Sequence, residues 1–563
     1  MIKDKNIYDL VIIGAGFAGL YSLYKAKLAN LNVIAIERAS NVGGTWYWNR
    51  YPGARCDVES MQYSYQFSSE LQEEWEWTEK YATQPEILKY ANHVADRFNL
   101  RKNINFNTEI KSAKFITDKN YWLLTNHKKE LIKTRFCIMA TGCLSTLNKP
   151  NFKNLESFRG EIYHTGNWPH KKVNLKNKVV GIIGTGSSAI QCIPEIIKDV
   201  KQLYVFQRTP HYTVPARNAP LKYLKGKNIK NMREPIGYDN DLFVEEVKYN
   251  YSSFRLKAQN SVAAMALPIN NQSALEVSED RRQHVFEDRW NKGGVPFIAA
   301  FEDLNFNREA NETAAKFVRN KIKSLVKDSN VAKLLTPNYP IGCKRLAVDS
   351  YYYETYNRSN ISLIDLKTDP LKEFSKDGIS TSKKSFELDV VILATGFDAM
   401  TGTLFNIDIE GKDNIKLKDK WSNGPKNYLG LASSGFPNLF TVSGPGSPSV
   451  LTNMIVSIEQ HVNWIFDCIK YMQNNDKSFI EASLNAEEDW FKHNQEVSID
   501  HVRSSCSSWY IGANIKGKAK NFMPYVGGYS KYVEKCNEVS ENDYEGFISV
   551  SYTHLTLPTK RIV

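Results

Sequence analysis

The residues able to do chemistry gather at glycine-rich turns. In VIIGAGFAG, Gly14, Gly16 and Gly19 follow an apolar run and open a helical pattern that includes Phe17 and Ala18. In such a strand–turn–helix unit the first glycine permits the turn and the second lets backbone approach a pyrophosphate. The third lets helix and sheet pack closely, while the helix start adds free N–H groups and partial positive charge. Glu37 ends the next apolar run, 23 residues after Gly14. A carboxylate there accepts hydrogen bonds from ribose hydroxyls and repels a 2′-phosphate. VVGIIGTGSSAIQ repeats the plan with Gly184, Thr185, Gly186, Ser187, Ser188, Ala189 and Gln191. Here the strand end, VFQRTPH, carries Arg208 and Thr209 in place of an acid. Arg208 offers a planar set of donors to a phosphate and stacks on adenine. The first site should therefore hold a dinucleotide with a free ribose, and the second NADPH.

Two further apolar runs, RFCIMATGCLS and DVVILATGFDAM, each stop at Ala-Thr-Gly, the second at Thr395 and Gly396. A glycine there lets the chain leave a sheet beside a bound cofactor. Their placement predicts that the chain leaves a first domain near residue 145 and returns near 390. The expected fold is α/β, with two Rossmann-like dinucleotide-binding domains, one inserted in the other. Residues 1–145 and 390–548 would form the first domain, and 146–218 with 336–389 the second. KYLKGKNIKNMREPIG, DRRQHVFEDRW and NETAAKFVRNKIKSLVKD show helical spacing with charged faces. They predict a helical subdomain over 219–335, to which no chemistry is assigned. Pro194 should kink or break the helix after the second turn.

Composition narrows the classes. A chain of 563 residues, 42% apolar, supports two or three domains. The net charge of +12 is spread among interleaved acids and bases, with no polybasic run. That argues against nucleic acid as a partner. Eight cysteines show no C-x-x-C pair, which speaks against a zinc ribbon, a dithiol redox site and a secreted disulfide framework. Isolated thiols suit a reducing compartment, and no metal site is expected. No apolar run approaches the ~20 residues of a membrane span. The first strand begins near Tyr8 and runs straight into the glycine turn, which leaves no cleavable signal. A soluble cytoplasmic protein is expected. The final SVSYTHLTLPTKRIV (549–563) extends no pattern; it looks like translated non-native DNA, such as a sequencing adapter or a cloning scar, and is left out of the expected fold.

FRGEIYHTGNWP spaces Phe158, Gly160, His164, Trp168 and Pro169 as F-x-G-x-x-x-H-x-x-x-W-P, and so resembles the fingerprint of the Baeyer–Villiger monooxygenases. GGTWYWNRYPGARCDVES (43–60), YPIGCKRLAVDSYYYETYNR (339–358), GPGSPSVLTNM (444–454) and SWYIGANIKGK (508–518) are similar to the same family. Together the matches span nearly the whole chain, and the length of the SPSVLTN loop is similar to the phenylacetone-acting branch. The resemblance implies FAD in the first site and NADP(H) in the second. The reaction it implies is insertion of one oxygen atom from O₂ beside a ketone through a flavin C4a-peroxide, giving an ester or lactone, with sulfoxidation as a side activity.

The resemblance also implies roles. Arg345 would be the catalytic arginine, and a guanidinium suits that task because it stays charged. Asp57 would hold Arg345, although it also reads as a helix N-cap for VESMQYSYQF. Lys344 would join Arg208 and Thr209 at the NADPH 2′-phosphate. Gly44, Thr45, Trp46 and Tyr63 would flank the flavin, Met454 would line the ketone pocket, and Trp509 would sit on a loop closing over NADP⁺. The fingerprint would lie on the linker between domains, with Phe158 and Trp168 as apolar anchors and His164 as its fastening. The partners would be a small ketone and O₂, with the chain a monomer or weak oligomer. The rival reading is a flavin N- or S-oxygenating monooxygenase, whose linker carries a different aromatic and which lacks the Lys-Arg pair. A disulfide reductase would need a cysteine pair beside flavin, and a non-catalytic flavin-binding protein would not need Asp57, Arg208, Lys344 and Arg345 together.

Overall fold

The computed structural model describes residues 7–221, 247–248 and 250–551. The apolar runs become strands. The first six are β1 (Ile7–Ile13), β2 (Val33–Ile36), β3 (Ile104–Asn105), β4 (Ile110–Ile116), β5 (Tyr121–Asn126) and β6 (Leu131–Met139). Then come β7 (Glu161–His164), β8 (Val179–Ile183), β9 (Gln202–Gln207) and β10 (Thr213–Pro215). After a helical stretch follow β11 (Ala347–Asp349), β12 (Ile361–Asp365), the antiparallel meander β13 (Leu371–Ser375), β14 (Gly378–Thr381) and β15 (Ser385–Glu387), and β16 (Val390–Leu393). The last four are β17 (Asp408–Glu410), β18 (Leu439–Thr441), β19 (Lys477–Ala482) and β20 (Phe547–Ser551).

The first sheet runs β17-β4-β5-β6-β1-β2-β3, with β18 also paired to β6. Its centre is parallel, with Ile12 of β1 opposite both Ala35 and Ile138. Apolar side chains cover both faces of β1, as expected of a strand buried from both sides. The helices Phe17–Leu28 and Met454–Asn474 share one core with this face. The second sheet, β12-β9-β8-β16-β7, is parallel throughout.

β16 corrects the expected boundary. It lies between β8 and β7 in the second sheet, so the chain does not rejoin the first domain at 390. It returns to the first sheet only with β17, at Asp408. An apolar run ending in Ala-Thr-Gly marks a strand end that faces a cofactor, but both sheets have one, and only the pairing shows which sheet owns it. β7 revises the linker in the same way. Four residues of the fingerprint, Glu161–His164, form an edge strand, with His164 opposite Leu393. Phe158 packs with Phe206, Phe374 and Leu393, and Trp168 stands 5.2 Å from the Tyr163 ring.

DRRQHVFEDRW falls in the helix Glu279–Lys292, which Ser278 caps by accepting from the Arg281 N–H. NETAAKFVRNKIKSLVKD falls mostly in Arg308–Leu325, burying Ala314, Phe317, Val318 and Ile322 against the second sheet's core. KYLKGKNIKNMREPIG lies outside the described residues. Pro194 stands in the helix Ser187–Ile196, which ends two residues later.

Three more expectations change. Asp57 caps no helix: the next helix is Ser69–Glu74, capped by Ser68, and residues 58–68 are turns held by long-range contacts. The cysteines are not all isolated, since Cys343 and Cys506 are bonded with Cα atoms 6.1 Å apart. A pairing across 163 residues leaves no trace in local spacing. The C-terminal segment set aside from residue 549 contributes Ser549, Val550 and Ser551 to β20, which pairs with β19. Among the described residues, no helix is long and apolar enough to cross a membrane and no His/Cys/Asp/Glu group is arranged to hold a metal.

Candidate active site

The strand ends of both sheets open onto one cavity of about 850 Å³. The two glycine turns meet it with the same geometry. Gly14 has φ +109°, and a Cβ added there would lie 2.4 Å from the Ala140 carbonyl oxygen. Gly184 has φ +112°, and its Cβ would lie 2.4 Å from the Ala394 carbonyl oxygen. Each turn is thus pressed against the alanine of an Ala-Thr-Gly corner, where any side chain would collide with backbone. Gly186 and Gly396 differ: nothing stands within 4 Å of an added Cβ, so backbone there borders open space. Bare backbone at a helix start beside free volume fits a dinucleotide pyrophosphate.

The ends of the two second strands differ in charge. Glu37 is 5% exposed and accepts from the Ala15 N–H at 2.7 Å and the Ala39 N–H at 2.8 Å. Burial pushes its carboxyl up, against those bonds. Its oxygens keep lone pairs for ribose hydroxyls. In the second sheet the Thr185 hydroxyl donates to the Thr209 carbonyl at 2.7 Å, tying turn to strand end. Lys344 lies 5.0 Å from the Tyr339 ring centre, and burial, then the charges of Arg208 and Lys367, push its ammonium down. Crowded cations beside a nucleotide turn fit a phosphate dianion.

Arg345 and Asp57 line the same cavity as the two turns. Arg345 Nε donates to one Asp57 oxygen at 2.7 Å and Nη2 to the other at 2.9 Å, while Nη1 donates to the Val450 carbonyl at 2.7 Å. Three distant segments therefore meet at one guanidinium. Burial pushes the Asp57 carboxyl up, but the charge and hydrogen bonds of Arg345 outweigh it, and the net shift is downward. Burial likewise opposes the Arg345 charge, and Asp57 more than restores it.

Of the residues singled out from sequence, Gly14, Gly16, Phe17, Ala18, Glu37, Gly44, Thr45, Trp46, Asp57 and Tyr63 line the cavity from the first domain. Gly184 to Ser188, Gln191, Arg208, Thr209, Lys344, Arg345, Thr395, Gly396, Met454 and Trp509 complete the wall. Gly19 and Ala189 do not reach it. A Cβ on Gly19 would lie 2.0 Å from the Gly14 carbonyl oxygen, and Ala189 is fully buried, so both serve helix packing.

Sequence reasoning missed two residues. His211 donates from Nε2 to the Arg345 carbonyl at 2.7 Å. Burial lowers its imidazole to about 4, against the pull of that bond. It follows Arg208 closely in VFQRTPH, but nothing local shows that it fastens Arg345. Tyr51 donates to Gln191 Oε1 at 2.8 Å, and Gln191 Nε2 donates to the Arg55 carbonyl at 3.1 Å, joining the second nucleotide helix to the RYPGAR segment.

The fingerprint histidine has a defined tautomer. His164 Nδ1 accepts from the Gly166 N–H at 3.0 Å, leaving Nε2–H to donate to the Thr395 hydroxyl at 3.1 Å. That hydroxyl in turn donates to the Asn148 carbonyl at 2.8 Å. His164 thus ties β7 to the second Ala-Thr-Gly corner. The segment after Trp509 reaches the same corner, where Asn514 donates to the Phe397 carbonyl at 2.8 Å and Lys518 pairs with Asp398 at 2.6 Å.

Two sheets, one parallel at its centre and one parallel throughout, offer glycine turns of opposite charge preference to one cavity and define a flavin- and pyridine-nucleotide-dependent oxidoreductase. Residues 11–267 match the family described as pyridine nucleotide-disulphide oxidoreductase. A Baeyer–Villiger monooxygenase of Pseudooceanicola batsensis is 38% identical, with 96% of each chain covered. The phenazine N-monooxygenase of Lysobacter antibioticus is also 38% identical, covering 97% of this chain and 98% of its own. A solved structure of oxidized steroid monooxygenase bound to NADP superposes with a TM-score of 0.90 at 45% identity, covering 97% of this chain and 99% of its own. The chain belongs to the Baeyer–Villiger monooxygenase family, and is an FAD-dependent monooxygenase that uses NADPH.

Proposed function

We propose that this monooxygenase converts small ketones to esters or lactones by inserting one atom of O₂ beside the carbonyl, with sulfoxidation as a side activity. The observation that carries the reading is the Arg345–Asp57 pair in the wall of the cavity that both nucleotide turns line. FAD, reduced by NADPH, supplies the activated oxygen when both are bound.

The chain's own residues do the rest. The Gly14 turn and Glu37 hold the nucleotide with free ribose hydroxyls, and the Gly184 turn with Arg208, Thr209 and Lys344 holds the one with a 2′-phosphate. Arg345 has five N–H groups, of which three are spent on Asp57 and Val450. Two remain to face negative charge developing on oxygen, and the cation gives up no proton in doing so. Asp57 fixes the plane of that guanidinium, and His211 fixes its backbone. Met454 offers an apolar wall to the ketone, and the segment bearing Trp509 excludes water.

The phenazine-oxidising relative favours a second reading, in which nitrogen is the oxygen acceptor. One experiment separates the two: purified protein, FAD, NADPH, ¹⁸O₂ and a panel of phenylacetone, cyclic ketones, a sulfide and a phenazine, read by mass spectrometry. Benzyl acetate or a lactone carrying one labelled oxygen is the expected product. Labelled N-oxide with no ester from any ketone would sink the ketone reading in favour of the second.

A further inference from the structure

Cys343 and Cys506 connect two walls of the cavity. Cys343 is fully buried and immediately precedes Lys344 and Arg345. Cys506 is half-buried between exposed Ser505 and Ser507, and immediately precedes the wall residues Ser507, Ser508 and Trp509. Their Cα atoms are 6.1 Å apart across 163 residues, a separation that suits the bond without backbone movement. The far end of the Trp509 segment is anchored by Asn514 and Lys518 on the second Ala-Thr-Gly corner. At the near end the hydroxyls of Ser504 and Ser505 bond back to the His501 and Val502 carbonyls, within the segment itself. The tie from this end to the Arg345 segment is the sulfur bridge, with a weak Ser505 hydroxyl contact to Cys343 Sγ at 3.8 Å beside it.

We propose that Cys343 and Cys506 form a reversible dithiol–disulfide lock, which when oxidised holds the Trp509 segment over the cavity and slows the escape of NADP⁺. The inference rests on the reading of the Gly184 turn, Arg208 and Lys344 as the NADP site. Hydrogen peroxide is a sufficient oxidant. The more exposed Cys506 thiolate attacks the O–O bond, giving a sulfenic acid and, after protonation of the leaving hydroxide, water. The Cys343 thiolate then displaces the sulfenic oxygen as a second water and forms the S–S bond. Two thiols lose two electrons and two protons, and one peroxide becomes two waters. A dithiol such as dithiothreitol reverses the change, returning both hydrogens and closing to its own cyclic disulfide.

The test uses the full-length holoprotein, reduced with dithiothreitol or oxidised with hydrogen peroxide, each freed of reagent. Thiol alkylation and peptide mass establish the state of each cysteine, and the dissociation rate of NADP⁺ is followed by the flavin absorbance change on dilution. The lock predicts a Cys343–Cys506 peptide in the oxidised sample and NADP⁺ release at least tenfold slower than in the reduced one. Cys343→Ser and Cys506→Ser should each release NADP⁺ at the reduced rate whatever the treatment. If either variant fails to fold, the two states of the unmodified protein still decide. Free alkylation of both thiols after peroxide, or equal release rates from the two states, would overturn the lock while leaving the NADP site intact. Failure of NADP⁺ to bind in either state would overturn the site reading, and the lock with it.

Discussion

Arg345 is held by three neighbours. Asp57 supplies the countercharge, the Val450 carbonyl takes a third N–H, and neutral His211 grips the backbone. Arg345→Ala should lower ester formation by about 10²–10³-fold, the usual cost of losing one preorganised charge-stabilising donor. Reduction of bound flavin by NADPH should stay within about twofold of the parent, read by anaerobic stopped flow. Equal loss of both steps would point to collapse of the fold rather than loss of a charge. His211 makes a pH prediction. Its folded imidazole titrates at about 4, whereas an unfolded histidine titrates near 6.5. Between those values the unfolded chain binds the extra proton, so this residue's contribution to stability falls as pH drops from 6.5 to 4. The slope approaches about 1.4 kcal/mol per pH unit. His211→Asn keeps a donor for the Arg345 carbonyl and does not titrate. Its melting temperature should decline less than the parent's between pH 7 and pH 5. An identical decline would assign the acid sensitivity elsewhere, for example to buried His461 or His501, each lowered to about 3.

At the scale of elements, the two strand–turn–helix units match, but the first and second glycines of such a unit do different work. Gly14 has no room for a methyl group and a left-handed φ, while Gly186 begins its helix in extended backbone with open space around it. Gly14→Ala should therefore destabilise the first domain and leave little folded protein. Gly186→Ala should fold with an unchanged melting temperature when free of nucleotide, yet raise the NADP⁺ dissociation constant about tenfold, because its methyl group occupies the space the nucleotide needs. Isothermal titration gives the constant and calorimetry the melt. NADP⁺ affinity equal to the parent's would mean that the open space at Gly186 is not where the nucleotide lies. The helices of 279–335 illustrate the same scale, since periodicity and charge placed them well while their packing on the second sheet needed the fold.

At the scale of the molecule, the position of β16 decides how the chain divides. With β16 between β8 and β7 in the second sheet, a fragment of residues 146–389 lacks the strand that joins them. It should be insoluble or melt without cooperativity by circular dichroism, while a fragment of 146–400 should give a cooperative transition. A cooperative melt from the shorter fragment would show that β16 is dispensable to the second domain.

Sequence alone determined the two nucleotide units, their opposite charge preferences at Glu37 and Arg208, and the family, because these rest on residue types at short fixed spacings. Turn geometry, helix starts and strand ends are local physics, and a motif of ten residues contains them. Tertiary structure decided what depends on partners hundreds of residues apart. It gave the second Ala-Thr-Gly corner to the second sheet and four residues of the fingerprint to an edge strand. It settled Asp57 as the partner of Arg345 and not a helix cap, and paired two cysteines whose local spacing shows no pairing. Strand pairing, a bidentate ion pair and a disulfide are each settled by proximity in space, which the chain acquires only when both sheets have closed on one cavity.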